Sequence, residues 1–180
     1  MKICILGFDG SGKTALARRL VAYFQQKGEG AVYFHPGRAR NNWLLIGKLL
    51  WEKRHLVCDR GYYDSLVGLY PPFLLRYRRL TRWLFAFFVF LLPKFDRVLL
   101  LEITFATAQA RKDEGLSLAE YQKRQKLYQI LRRWVKIEAL NGEQNQHQVF
   151  RRALAVINND LVFRIKQLRA RFNDEIGSLC

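Results

Sequence analysis

Gly7, Gly12, Lys13 and Thr14 stand in the stretch GFDGSGKT at the spacing Gly-x-x-x-x-Gly-Lys-[Ser/Thr]. That spacing suits a polyphosphate. A triphosphate carries several negative charges, so a loop that holds one must aim backbone N–H groups at it. Side chains at Gly7, Gly10 or Gly12 would obstruct the approach or forbid its dihedrals. Lys13 can neutralise the β- and γ-phosphates, and the Thr14 hydroxyl can ligate Mg²⁺. An ordinary strand–turn–helix needs neither Lys13 nor Thr14 at those places. The expected ATP-binding set is Gly7, Asp9, Gly10, Ser11, Gly12, Lys13 and Thr14.

A second cluster is CDRGYYDS, residues 58–65. Asp59 and Arg60 fall where an apolar run ends. In open parallel sheets that edge is where ligands bind. A carboxylate there can hold a Mg²⁺-bound water or accept a proton from an attacking oxygen, and an arginine can grip a phosphate at two points. Thr14 and Asp59 are therefore the expected metal-side residues. Alone, the pair would read as an ion pair closing a strand. Asp64 and Ser65 follow on the next helix and read equally as part of this cluster or as the helix's capping residues. Tyr62 and Tyr63 suit either base stacking or a core. His35, just before Pro36, reads as a loop histidine or a phosphate contact. Arg111 reads as a solvated helix charge or as a contact to a transferred phosphoryl group.

The elements that must position these residues alternate along the chain. KICILG predicts a first strand and residues 13–27 a first helix. Strands are expected at 31–35, 55–59 and 97–103, and at VKIEAL, 135–140. Helices are expected from Asn41 or Asn42, over 71–92 up to Pro93, after Thr104, after the Ser117–Glu120 capping box, and from about residue 145. Such alternation predicts a single α/β domain with a five-stranded parallel sheet covered on both faces.

Composition excludes some classes. Half the residues are hydrophobic, which rules out a disordered chain. Cys4, Cys58 and Cys180 lie far apart without a CxxC pair, against a disulfide scaffold or a zinc site and in keeping with a reducing, cytoplasmic setting. The first residues read as strand and loop rather than signal peptide. The net charge of +16 favours anionic partners: nucleotides, nucleic acid or an anionic membrane. No aromatic–basic RNA motif appears, so nucleic acid is not an expected partner. Trp83 to Leu92 is ten residues without a charge, too short to span a bilayer. It reads as a helix buried against the sheet, or as an exposed patch beside Arg76, Arg78, Arg79 and Arg82 that meets the inner membrane face or a second copy.

The order of motifs resembles the thymidylate kinase family of nucleoside monophosphate kinases, and within it a divergent bacterial thymidylate kinase-like subgroup. GFDGSGKT resembles the family's P-loop, CDRGYYDS its Asp-Arg-Tyr segment, LLLEITFATAQARK its fourth strand and following helix, and LSLAEYQKRQKLYQIL the helix after its lid. IEALNGEQNQHQVFRRAL resembles the end of its domain, near adenine. The likeness covers residues 1–157, leaving 158–180 as an extension. It implies a P-loop NTPase fold, ATP and Mg²⁺, Asp9 near the acceptor's sugar, and Arg60 on the acceptor phosphate. The chain also departs from the family. His35 replaces a glutamate, the nearest arginine is Arg38, the thymine-reading Tyr–Gln pair is missing, Glu102 replaces an aspartate, and the lid between Arg111 and Ser117 is very short.

The resulting expectation is an ATP-dependent kinase with Lys13, Asp59, Arg60 and Arg111 catalytic. Asp9, Arg38, Arg60, Tyr62 and Tyr63 are expected at a phosphate-bearing acceptor, foremost a nucleoside monophosphate other than dTMP. Two alternatives remain: a kinase of a phosphorylated sugar or glycolipid at a membrane, and an ATP-binding interaction protein with weakened catalysis.

Overall fold

The computed structural model describes residues 1–36, 42–69, 83, 87, 90–111 and 117–158. Strand β1 (Lys2–Gly7) is the middle of the sheet. Ile3 and Ile5 point to one face and Cys4 and Leu6 to the other, all four with no exposed surface. A strand buried on both sides needs cover on both sides, and the chain supplies it. β2 (Ala31–Phe34), β3 (His55–Asp59), β4 (Arg97–Glu102) and β5 (Ile137–Asn141) complete a five-stranded sheet in the order β2-β3-β1-β4-β5. Every pairing is parallel, with Ile5 beside Asp59 and Gly7 beside Leu101. The α/β fold is the expected one.

One core lies under α1 (Lys13–Gln26) and the helix at residues 146–158. Leu16, Leu20 and Phe24 fall on one stripe of α1, and Val149, Ala153 and Ile157 on one stripe of the last helix, against Ile3, Ile5 and Val57. The other core gathers Leu45 and Leu49 of α2 (Asn42–Trp51), Tyr62 and Tyr63 of α3 (Tyr62–Leu69), and Leu127, Tyr128 and Leu131 of a later helix, against Cys4, Leu6 and Cys58. Between β4 and that helix sits α4 (Phe105–Arg111), and the later helix is α5 (Leu118–Leu131). Its N-terminus carries the expected capping box: the Glu120 amide donates to Ser117 Oγ at 3.2 Å, and the Ser117 amide to Glu120 Oε2 at 3.3 Å.

Strand ends differ from the sequence reading by a residue or two, for local reasons. β2 stops at Phe34, one residue early, because Pro36 has no N–H with which to extend the ladder. β4 stops at Glu102 because the Ile103 carbonyl accepts from the Tyr121 hydroxyl at 2.6 Å. β5 starts at Ile137 because the amides of Trp134 and Val135 turn back to the Leu131 carbonyl.

The apolar run before Pro93 also resolves in part. Trp83, Phe87, Phe90 and Leu91 are helical and exposed, while Leu92 packs against the core. For these described residues the buried reading gives way to the exposed one. No described helix is long and apolar enough to cross a membrane. Arg38, Arg76, Arg78, Arg79, Arg82, Lys112 and the extension beyond residue 158 lie outside the described residues.

Candidate active site

The glycine-rich loop joins β1 to α1 at the carboxyl edge of the sheet, so the sheet itself aims it. Gly7 has φ 145°, and a Cβ there would lie 2.6 Å from the Leu101 carbonyl oxygen and 2.9 Å from Ser11 Oγ. Gly12 caps α1 in the left-handed region at φ 89°, with open space where a Cβ would go. Gly7→Ala should therefore cost more than Gly12→Ala. The first combines backbone strain with a backbone clash, on the order of 2–4 kcal/mol; the second carries only the left-handed penalty, about 1–2 kcal/mol. Urea midpoints of the two variants check the ranking.

α1 begins without an acidic residue in its first turn and without a side-chain cap at Gly12, which leaves its positive end to an incoming anion. Lys13 is buried. Its Nζ donates to the Phe8 carbonyl at 2.5 Å and lies 3.7 Å from Asp9 Oδ1. The ammonium is thus already held inside the loop it would share with a phosphate.

Asp59 links this loop to the second motif across 45 residues of sequence. It ends β3, next to β1, with 1% of its surface exposed. Thr14 Oγ1 donates to its Oδ2 at 2.5 Å, and the Tyr33 hydroxyl donates to the same oxygen at 3.1 Å. His35 Nδ1 lies 2.8 Å from the Asp59 carbonyl oxygen and 3.6 Å from Oδ2. Partial burial, then the neighbouring Asp59 carboxylate, push the Tyr33 phenol up, so it stays a donor. Asp59 Oδ1 and Ser11 Oγ are buried without a hydrogen-bond partner among the described residues. A carboxylate oxygen in that condition is costly unless something binds it. Beside a threonine hydroxyl it forms a hard oxygen donor pair that fits Mg²⁺, which takes few protein ligands and completes its shell with water and phosphate. Among the described residues no cluster of three or more His, Cys, Asp or Glu offers a competing metal site.

Arg60 takes an unusual backbone, φ 70°, pinned by its amide donating to the Ile5 carbonyl at 3.0 Å. This swings its guanidinium back over the loop. Nη2 donates to the Asp9 carboxylate, and Nη1 lies 3.7 Å from Asp64 Oδ2. Tyr128 closes the chain by donating to Asp64 Oδ1 at 2.5 Å; burial, then Asp64 beside it, hold its phenol well above the ordinary range. Asp64, which the sequence reads as a cluster member or a cap, is thus an anchor for Arg60. Tyr62 and Tyr63 are 2% and 1% exposed. They meet edge-on at 4.5 Å, and the Tyr62 hydroxyl donates to the Pro93 carbonyl. Both rings pack against Phe95 in the core, away from any base or acceptor.

Arg111 ends α4 beside the loop. Its Nη1 donates to the Gly142 carbonyl at 3.0 Å and approaches the Gly10 carbonyl at 3.4 Å. It lines a cavity of about 490 Å³ with Gly10, Gly12, Arg19, Glu143 and Asn145, on the α1 side of the loop. The Thr104 amide and the Thr107 hydroxyl donate to Glu143 Oε1 at 2.9 Å and 3.0 Å, and these bonds hold the carboxyl below its usual range.

Sequence reasoning missed Tyr33 and Glu143. Tyr33 was signalled weakly by standing two residues before His35, on the same face of the strand. Glu143 carried no signal, since only the turn after β5 brings it to Thr104.

A strand–glycine loop–helix unit at the centre of a parallel sheet, with a carboxylate arriving from the next strand, is the P-loop NTPase fold. The solved structures that resemble the chain share it. Deoxyadenosine kinase from M. mycoides with bound dATP superposes at a TM-score of 0.58, with 16% identity, over 88% of this chain and 99% of that one. The same enzyme with bound dCTP gives 0.58 and 13%, over 88% and 100%. With dCMP and a flexible dCDP as products it gives 0.57 and 13%, over 88% and 99%. At such identities the likeness establishes the fold. Comparison with family profiles and with curated protein sequences gives no match.

Proposed function

We propose that the chain is an ATP-dependent phosphotransferase acting on a nucleoside-class acceptor, a nucleoside or its monophosphate. The observation that carries this reading is the Thr14–Asp59 contact at 2.5 Å, with Asp59 Oδ1 buried and unmatched. It joins the phosphate loop to the sheet edge at the place where donor phosphate and acceptor must meet. The likeness to deoxyadenosine kinase supports a nucleoside-class acceptor, and the sequence resemblance to thymidylate kinases supports the monophosphate within that class.

Phosphoryl transfer asks the protein mainly for position and charge neutralisation. The amides of Gly10, Gly12 and Lys13 and the positive end of α1 would hold the donor phosphates, while the Ser11 amide donates to the Phe8 carbonyl at 3.2 Å. Lys13 exchanges the Phe8 carbonyl for the β- and γ-phosphates. Thr14 and Asp59 would hold Mg²⁺, which when bound offsets charge on the β- and γ-oxygens. The cavity beside Arg111 takes the rest of the donor, and Arg111 is placed to swing from the Gly10 carbonyl toward its phosphates. Asp9 and Arg60, locked together and braced by Asp64, present the acceptor side, with Tyr33 and His35 at its rim. Arg38 belongs to the same side by sequence.

Arg60→Ala should chiefly raise the acceptor KM, with a loss on the order of 2–5 kcal/mol where the contact is buried and charged. Its ATP KM should change little. Steady-state kinetics with each substrate varied in turn test this. A rise confined to the ATP KM would move Arg60 to the donor side.

A further inference from the structure

α2 and the helical residues before Pro93 cover the same side of the sheet: Leu45 and Leu49 share one core cluster with Leu92 and Phe95. Their outward surfaces are apolar. Trp83, Phe87, Phe90 and Leu91 are 78%, 59%, 78% and 62% exposed. Their spacing, i, i+4, i+7 and i+8, sets them on one helical face. On α2, Leu44, Leu50 and Trp51 are exposed as well. Soluble chains seldom leave large aromatic side chains clustered in water without a use for them.

The charge of the sequence that carries this face selects its partner. No Asp or Glu occurs between Asp64 and Asp96, whereas Arg76, Arg78, Arg79, Arg82 and Lys94 all fall there. Lys94 Nζ lies 6.0 Å from the Phe90 ring centre, at the edge of the face. Exposed aromatic side chains in a stretch of sequence whose only charges are positive match a surface with apolar depth and a negative skin. A second copy fits less well, because a two-fold pairing of this face would bring two acid-free basic segments together on chains of net charge +16.

We propose that the face built by Trp83, Phe87, Phe90 and Leu91 docks on an anionic phospholipid surface, lying at the interface without spanning it. The aromatics would sink to the headgroup–acyl boundary, and the basic residues would meet phosphates and carboxylates of the headgroups.

Vesicle co-sedimentation tests this on the full chain. The protein should bind phosphatidylserine-containing vesicles at low salt, ignore pure phosphatidylcholine vesicles, and be released by added salt. Brominated lipid should quench its tryptophan emission. Replacing Arg76, Arg78, Arg79 and Arg82 with glutamine should weaken binding at least about tenfold. Trp83→Ser with Phe90→Ser keeps every charge, so it separates docking from general attraction of a basic protein; it too should weaken binding at least about tenfold and reduce the quenching. Both changes alter exposed or basic positions, and circular dichroism should stay at the wild-type signal. Three results would overturn the proposal. The wild type fails to bind at low salt; the serine variant binds as well as wild type; or the wild type is a dimer, broken by the serine variant, that leaves vesicles alone. Should either variant fail to fold, quenching of wild-type tryptophan by brominated lipid still decides the matter, and its absence would overturn the proposal.

Discussion

Lys13→Ala is expected to abolish phosphoryl transfer and weaken ATP binding in a chain that still folds. Lys13 is the one cation built into the glycine-rich loop, and its ammonium sits 2.5 Å from the Phe8 carbonyl, at the rim of the cradle. A buried charge that meets the proposed donor phosphates would act far more strongly than a surface lysine. Removing it should lower kcat/KM by roughly 10³-fold or more. The fold should survive because the stripe of Leu16, Leu20 and Phe24 that holds α1 to the sheet is untouched. Turnover at the wild-type rate would show that the loop is not the donor site.

Asp59→Asn is expected to lower kcat at least ~10²-fold, with a smaller effect on ATP affinity. The substitution keeps the size of the side chain and an oxygen to accept from Thr14 and Tyr33. What it removes is the negative charge, and it can set an amide donor where a cation or an acceptor hydroxyl would bind. A variant that binds ATP but transfers slowly would assign Asp59 to the step that joins donor and acceptor. Unchanged kinetics would leave Asp59 as a strand-end residue held by hydrogen bonds.

The loop was legible in the sequence because each of its residues is demanded by a local requirement. Gly7 and Gly12 answer to backbone dihedrals and close approach, which the structure shows, and Lys13 and Thr14 to the charge of the proposed polyphosphate. Asp59 was legible only in the company of the loop: a carboxylate that closes an apolar run at the sheet edge reads by itself as half of an ion pair, and a phosphate loop at the same edge turns it into a candidate metal or acceptor residue. The engagement of Arg60 was not legible. It depends on a left-handed backbone at a non-glycine residue and on Asp9, 51 positions away, which β3 pairing with β1 brings opposite. Tyr33 likewise meets Asp59 only because β2 and β3 are neighbours. Arg111 reaches Gly10 across 101 residues, through the order β1-β4-β5. Periodicity tells which faces of an element are apolar; it does not tell which strand lies beside which. The burial of Tyr62 and Tyr63 was one of two readings, since an aromatic at a helix start packs as readily as it stacks.

Transfer of the ATP γ-phosphoryl group to a nucleoside-class acceptor through Lys13 and Asp59 can be read from one incubation of the protein and Mg²⁺ with γ-labelled ATP and a panel of nucleosides, nucleoside monophosphates and sugar phosphates. Label is expected in a nucleoside or a nucleoside monophosphate and is lost with Lys13→Ala. ATP binding without label in any nucleoside-class compound, or label only in a sugar phosphate, would rule out a nucleoside-class acceptor.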